Sequence, residues 1–439
     1  MSSSSSSHNF LRLTCILLAL VSLASFAYRN HKDFYQTPID FLIFLHAGEN
    51  FQHSGHLYER ADNYADKYHP TAAIYKFPPA FQLMLMPLNH LPTNISLYVF
   101  TRLLLTGMYG VSLLILFFYM KKHLSLKKEA LFYFSALFII IACWFMPFFE
   151  CIRWLLTEIP LLLLFILSFL LLGKFRGLSG LAGTLMAYAA CAKIYPAFLF
   201  SYHLMRKSPG VIAGFLIGTL LTLGASLYYF GLPEHLFYLK NILPVLLKEP
   251  VSDKWVNLNL ENFLFQVGYL PEVTGKVFQF TRLVFVGAGL LVLWRHAADN
   301  GKTQFLLFCF CITTMFFCFP NYWPQYQIFL ILPVVCLLAY TLRYQQSFRL
   351  WLLLLITATL CVPDLLWKQV LEWDLARQGL DMDMVGRESY EQGNSITLLK
   401  YSPLTWCLYY GYTCRALTPV VLWLMQALQL HSSSTPSSA

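Results

Sequence analysis

Apolar runs of about 20 residues recur along the whole chain, the length a helix needs to cross the hydrocarbon core of a bilayer. Nothing else in the sequence constrains the fold as strongly. Of the 439 residues, 57% are hydrophobic and only 12% charged, and the mean hydropathy is +0.56. A soluble domain carries about 25% charged residues, so this chain has too few charges to coat one. A soluble enzyme, a secreted disulfide scaffold and a disordered protein are excluded on that ground. The strands of an outer-membrane barrel would show only ~10-residue alternating segments. The sequence therefore predicts an all-α polytopic membrane protein with about 10–12 transmembrane helices in a single domain over 1–439.

The first run, 11–28, follows a serine tract and is read as a transmembrane helix, because no convincing small-residue cleavage site follows it. Further spans are expected at 95–118, 130–149, 155–172, 211–230, 283–294, 305–319, 326–342, 350–362 and 404–430. The connections alternate in charge. One set holds Arg12, Lys121, Lys122, Lys127, Lys128, Lys174, Arg176, Arg206, Lys207, Arg295, Lys302, Arg343 and Arg349, with Glu129 and Asp299 as its acidic members. These connections are short, where the positive-inside rule is strongest, and they put both chain ends in the cytoplasm. The net charge of +9 thus reads as topogenic, and no nucleic-acid partner is expected. Segment 180–204 has basic flanks on both sides and is interrupted by Lys193 and Pro196. Two short helices meeting near Lys193, or a re-entrant hairpin, preserve the alternation; a proline-kinked single span does not.

The other side carries three long segments, 29–90, 231–282 and 363–403, which hold most of the acidic residues. Within the first, residues 40–58 have the periodicity of an amphipathic helix lying on the membrane surface. Asp40 sits there beside aromatic residues, where partial desolvation would make its carboxylate a usable general base. Composition alone does not prefer it over Asp33 or Glu49. Lys193 is a cation inside an apolar stretch, suited to a phosphate oxygen; Arg102 and Arg282, which enter spans, could hold a phosphate as well. Glu158 is expected to pair locally with Arg153 or Trp154. His53 and His56 with Glu49 make a conceivable zinc or manganese set, but no HExxH is present; histidines bonding to a sugar fit better, and ordinary surface histidines better still. The cysteines lie in apolar runs without metal-ligand spacing, and neither GxGxxG nor a Walker lysine motif occurs.

Several segments in order carry a family resemblance. These are Asp40-Phe41, then Gly55 with Leu57-Tyr58, then Tyr75-x-Phe77-Pro78-Pro79, followed by Met86-Pro87-Leu88. Lys193-Ile194-Tyr195-Pro196 precedes the pair Arg206-Lys207, and Trp323-Pro324-Gln325-Tyr326 is followed by Pro333. Together they resemble glycosyltransferase family 87, the polyprenyl-phosphate-sugar-dependent mannosyl- and arabinofuranosyltransferases. Where many members carry an Asn and a Gly-Gln pair, this chain reads Phe148 to Pro160 without them. The resemblance implies a GT-C fold with an outward-facing active site, in a bacterial inner membrane. It implies an inverting transfer, with mannose the foremost sugar, from a polyprenyl-phosphate donor to a glycan or glycolipid acceptor. Asp40 would be the catalytic base. Lys193, Arg102 and Arg282 would bind the donor phosphate, and Glu49, His46, Tyr58, Tyr75 and Trp323 would line the acceptor or sugar site. Neither a cofactor nor a metal is implied, because basic side chains can hold a monophosphate leaving group. A transporter of lipid-linked or small solutes is the alternative; it would need ionisable groups across the whole membrane, and Lys193 stands nearly alone.

Overall fold

The computed structural model describes residues 3–33, 37–59, 75–89, 91, 95–174, 178–248, 258, 271–298, 301, 303–318, 323–362, 370, 373–377 and 414–434. Nearly all of the expected outer segment 363–403, together with residues 404–413 of the last expected span, Arg176 and Lys302, lies outside them. The described residues form helices and no strand.

The chain begins with α1 (Ser3–Asp33) and α2 (Ile39–Ser54), the latter on the segment expected to lie along the membrane surface. There follow α3 (Pro79–Asn89), α4 (Ile95–Leu124), α5 (Lys128–Trp144), α6 (Met146–Trp154), α7 (Glu158–Lys174) and α8 (Ser179–Ala192). A 3-10 turn at Tyr195–Leu199 leads into α9 (Phe200–Met205) and α10 (Pro209–Phe237); a π turn, Tyr238–Ile242, and α11 (Leu243–Lys248) come next. The remainder is α12 (Pro271–His296), α13 (Thr303–Met315), a 3-10 segment at Pro324–Leu330, α14 (Ile331–Arg343), α15 (Ser347–Cys361) and α16 (Thr418–Ser434). Among the described residues, six stretches are long and apolar enough to cross a membrane: Asn9–Lys32, Ile95–Leu124, Lys128–Trp154, Pro209–Leu246, Gly275–His296 and Pro324–Arg343.

Burial separates an inner set from an outer one. Every residue from Phe305 to Met315 on α13 and from Ile331 to Thr341 on α14 is buried. A helix apolar all round must be surrounded by other helices. By contrast, α1 and α10 show rows of exposed leucines, such as Leu17, Leu20, Leu216, Leu220 and Leu221. Water would penalise so much contiguous apolar surface, whereas acyl chains accept it.

The expected span 130–149 is broken. Pro147 cannot donate an N–H and crowds the carbonyl four residues back, so α5 stops at Trp144 and α6 restarts at Met146. Leu155, left-handed at φ 53°, then ends α6, and Leu156 donates its N–H to Cys151 O at 2.9 Å. This tight stop delivers Glu158 as the first residue of α7.

Helices α8 and α10 pack side by side through Gly180, Gly183, Gly210, Gly214 and Gly218. A Cβ at Gly214 would overlap Gly180 O, and one at Gly183 would overlap Val211 O. Thr184 Oγ1 bridges the two helices through Gly214 O at 3.2 Å. Residues 180–187 thus run alongside 210–218 in the same direction. The chain between must therefore return to the level from which α8 started, so 180–204 is a re-entrant hairpin rather than a kinked span.

Basic residues gather at one end of the bundle. Arg343 Nη1 donates to Leu124 O, joining the end of α14 to the end of α4. Arg349 on α15 reaches Gln429 near the end of α16 at 2.7 Å. Glu158 and Lys193 lie at the opposite end, where α7 begins and α8 stops.

Gly214→Leu should prevent the close approach of α8 and α10. Overpacking of this kind costs about 1–3 kcal/mol or more. Thermal unfolding of the purified protein in detergent should show a lower midpoint, while Gly224→Leu, where a Cβ meets only open space, should leave it within error of the parent.

Candidate active site

The site is built around the place where α8 stops. Pro196 cannot donate to the carbonyl of Ala192, so the helical ladder has to end there. Lys193 takes an extended conformation (φ −139°, ψ 128°) and donates its backbone N–H to Ala189 O at 3.0 Å. Its side chain leaves the helix end and forms an ion pair with Glu158 Oε1. Lys193 is 4% exposed and Glu158 1%. Lys193 sits at a helix C-terminus and Glu158 at a helix N-terminus, the positions at which the peptide dipoles favour those charges.

Aromatic rings enclose the ammonium. Its Nζ lies 4.9 Å from the centroid of Phe77, 5.7 Å from Phe81 and 5.8 Å from Tyr326. Tyr326 also packs against Tyr195 at 5.3 Å. Glu158 Oε2 is buried and has no hydrogen-bond partner among the described residues. A buried carboxylate oxygen left without a donor is costly and asks for one.

Asp40 stands in the first turn of α2, half-buried. Burial pushes its carboxyl above the usual carboxylate range, and the neighbouring Glu158 carboxylate adds to this; Lys193 and Lys76 act in the opposite sense. Packing fixes α2 over the pair. Phe44 meets Phe77 and Phe81 edge-on at 5.2 and 5.1 Å, and Gln82 Nε2 donates to Phe44 O at 3.1 Å.

Beyond α2, Gly55 (φ 75°) closes the helix by donating to Phe51 O at 2.9 Å. The following residues dock on the far part of α10. Glu234 accepts the Leu57 N–H at 3.0 Å and meets His56 Nδ1 at 3.1 Å. Glu234 reaches them because α10 kinks at Gly231 (φ 78°, ψ 158°), a conformation that excludes ordinary L residues. His56 is thus engaged by Glu234, and among the described residues no group of three or more His, Cys, Asp or Glu side chains is placed to hold a metal ion.

The other residues singled out by sequence are distributed unevenly. Tyr58 and Tyr75 are buried beside the site, 5.5 Å apart; Tyr58 donates to Phe77 O at 2.7 Å and Tyr75 to Pro78 O at 3.1 Å. Trp323, half-buried, opens the 3-10 segment that carries Tyr326. His46 is exposed and Glu49 half-buried farther along α2. Arg102 is fully buried and donates to the Ile152 and Arg153 carbonyls, both at 3.4 Å, at the end of α6. Arg282 donates to the Phe317 and Cys318 carbonyls beyond α13.

Glu158 is the residue that sequence reasoning misjudged. It was expected to pair with Arg153 or Trp154, but those belong to α6, where Glu150 takes both, at 3.0 and 3.3 Å. The available signal was its position as a lone carboxylate opening an apolar run, complementary to the lone Lys193.

The profile of glycosyltransferase family 87 matches residues 75–320, more than half of the chain. The match takes in Tyr75, Arg102, Glu158, Lys193 and Arg282, while Asp40 precedes it and Trp323 follows. No curated protein and no solved structure matches the chain.

Breaking a buried ion pair from one side leaves an uncompensated charge and costs about 3–5 kcal/mol. Glu158→Gln and Lys193→Met should each lower stability on that scale, and the double variant should recover most of the loss. Unfolding of all four proteins in the same detergent measures the coupling; additive losses would show that the two side chains do not depend on each other.

Proposed function

The chain belongs to glycosyltransferase family 87 and is a membrane glycosyltransferase, and on that premise we propose that it transfers a monosaccharide, mannose foremost, from a polyprenyl-phosphate donor to a glycan or glycolipid acceptor at the outer face of a bacterial plasma membrane. One observation carries this reading. Segments far apart in sequence, at Asp40, Phe77 and Tyr326, converge on one buried cation, Lys193, at the end of the bundle opposite Arg343 and Arg349. By the positive-inside rule that end is exoplasmic and both chain ends are cytoplasmic.

The chemistry follows from charge and position. Asp40 accepts the proton of the acceptor hydroxyl as its oxygen attacks the anomeric carbon. The new glycosidic bond forms as the bond from that carbon to the phosphate oxygen breaks on the opposite face, so the configuration inverts. The lipid phosphate leaves with the electron pair. A lysine ammonium has three N–H donors; with one directed to Glu158, the others remain for a phosphate oxygen as it gains charge. The unpartnered Glu158 Oε2 accepts a sugar hydroxyl. Arg102 and Arg282, each bonded to backbone carbonyls, would assist the donor phosphate less directly. Tyr58 and Tyr75 pack beside the site, and Trp323, His46 and Glu49 are candidates for acceptor contacts. The lipid tail lies between helices, and no nucleotide is needed.

Asp40→Asn should reduce transfer by 10²–10⁴-fold, the usual cost of removing a general base, with insertion and folding intact. A rate above about a tenth of the parent's would remove Asp40 from that role. The pH profile gives an independent check. The base must be ionised, so the rate should rise with pH through a carboxyl already raised above the ordinary range. Lys76→Met deletes a cation that holds this carboxyl down, so the acid limb should move to higher pH.

The donor class is tested directly with radiolabelled polyprenyl-phosphate sugars and nucleotide sugars, supplied with a crude glycolipid acceptor extract and no added metal. Turnover is expected only with the lipid-phosphate sugars, polyprenyl-phosphate mannose first. Turnover of nucleotide sugars alone would overturn the donor assignment. Inertness toward every donor, together with solute flux in proteoliposomes, would make the chain a transporter.

A further inference from the structure

At the basic end of the bundle, remote from Lys193, lies a cleft of about 470 Å³ between the α4–α5 turn and the α14–α15 turn. Helix α5 separates the two ends; its 17 residues span about 25 Å at 1.5 Å per residue. The cleft lining includes Lys127, Arg343, Tyr133, Gln346 and Ser347, with Glu129 as its acidic member. The geometry points to a binding site for the phosphate of an anionic lipid headgroup, on the face opposite the transferase site.

Two features of the cleft favour an anion. First, two cations line it. Arg343 directs one N–H to Leu124 O, which fixes the guanidinium at the cleft wall while leaving further donors on its planar fork. Second, α5 and α15 both begin here, and neither Lys127 nor Gln346 at their N-caps supplies a side-chain capping bond. The positive dipole ends of both helices therefore lie at the same cleft, although the Ser347 N–H is taken by Gln345 O at 3.1 Å.

The remaining lining decides between a lipid and a small free anion. Ala130, Leu342 and Leu350 add apolar surface to the lining, and Phe348 and Trp351 stand exposed on the same helix as Leu350, α15. An aromatic pair at the end of a membrane helix belongs at the headgroup level. A headgroup phosphate in the cleft would have its acyl chains beside the exposed apolar residues of α15, Phe348, Trp351 and Leu355. Lysines and arginines at this end also serve orientation, but orientation needs only their charge and does not require a cleft with converging helix starts.

The site is separate from the transferase site, and its test reads no transfer activity. Full-length protein in detergent is titrated with phosphatidylglycerol or phosphatidylcholine and the bound lipid counted by native mass spectrometry; a parallel series contains inorganic phosphate. Phosphatidylglycerol should bind in preference to phosphatidylcholine. Lys127→Gln and Arg343→Gln should each weaken it about five-fold, the equivalent of ~1 kcal/mol per cation near a membrane surface. Glu129→Gln removes the opposing carboxylate and should tighten binding several-fold, a gain that impaired folding would not produce. Equal phosphatidylglycerol affinity in the parent and all three variants would overturn the site. Inorganic phosphate displacing nothing supports the lipid as ligand, whereas phosphate retention with no preference between the two lipids would overturn that assignment.

Discussion

Lys193 and Glu158 are buried together because separate pieces of backbone stop at the same level. Moving two charges from water into an apolar bundle costs several kcal/mol per ion, and close pairing with fixed geometry is what offsets it. Here α8 ends at Lys193 because of Pro196, and α7 begins at Glu158 because α6 has just been closed by the left-handed Leu155. Each terminus supplies a partial charge of the sign that its side chain needs. Rings from the α2–α3 connection, from α3 and from the segment before α14 then close around the ammonium. The aromatic density on this side of the molecule thus has an electrostatic reason: the face of a ring is the apolar surface that best tolerates a cation.

The same interaction explains the construction farther away. Lys193 must be held at a fixed height beside α7, and α8 is too short to be anchored at both membrane faces. Its position comes from contact with α10, where glycines bring two backbones together and Thr184 bonds across. Helix α10 then bends at Gly231, and its far part carries Glu234 and Phe237 to the loop after α2. The bend is held by His235, which meets Gly231 O and Ser226 Oγ, both at 2.9 Å. One helix therefore sets the depth of the cation and also the roof above it, which couples Asp40 to Lys193 through covalent structure as well as through space.

Much of this was legible in the sequence. The polytopic class followed from hydrophobic run length. The helix at α2 followed from periodicity, and the interruption at Lys193 followed from its proline and its doubly basic flanks. Asp40 and Lys193 could be singled out as unusual charges, but their nearness could not, since no local rule joins residues 40 and 193. Glu158 was misread because spacing along the chain was treated as spacing along one helix, and the Leu155 turn had divided it. The break before Met146 could have been read from Pro147. The hairpin was left open between alternatives because its decisive signal, a glycine every fourth residue from Gly210 to Gly218, concerns helix–helix distance rather than local conformation.

The hairpin formed by α8, its 3-10 turn and α9 has a consequence for how such a chain is assembled and diversified. Because it enters and leaves on the same side, it adds no crossing, and the orientation of every later helix is independent of it. A segment of this kind can lengthen, shorten or exchange its tip without inverting the rest of the protein. Its settling depth is decided only once α10 has been inserted beside it, so the cation at its tip reaches its place after a helix later in the chain than its own. The residue on which the site is centred thus rides on an element that topology leaves free to vary.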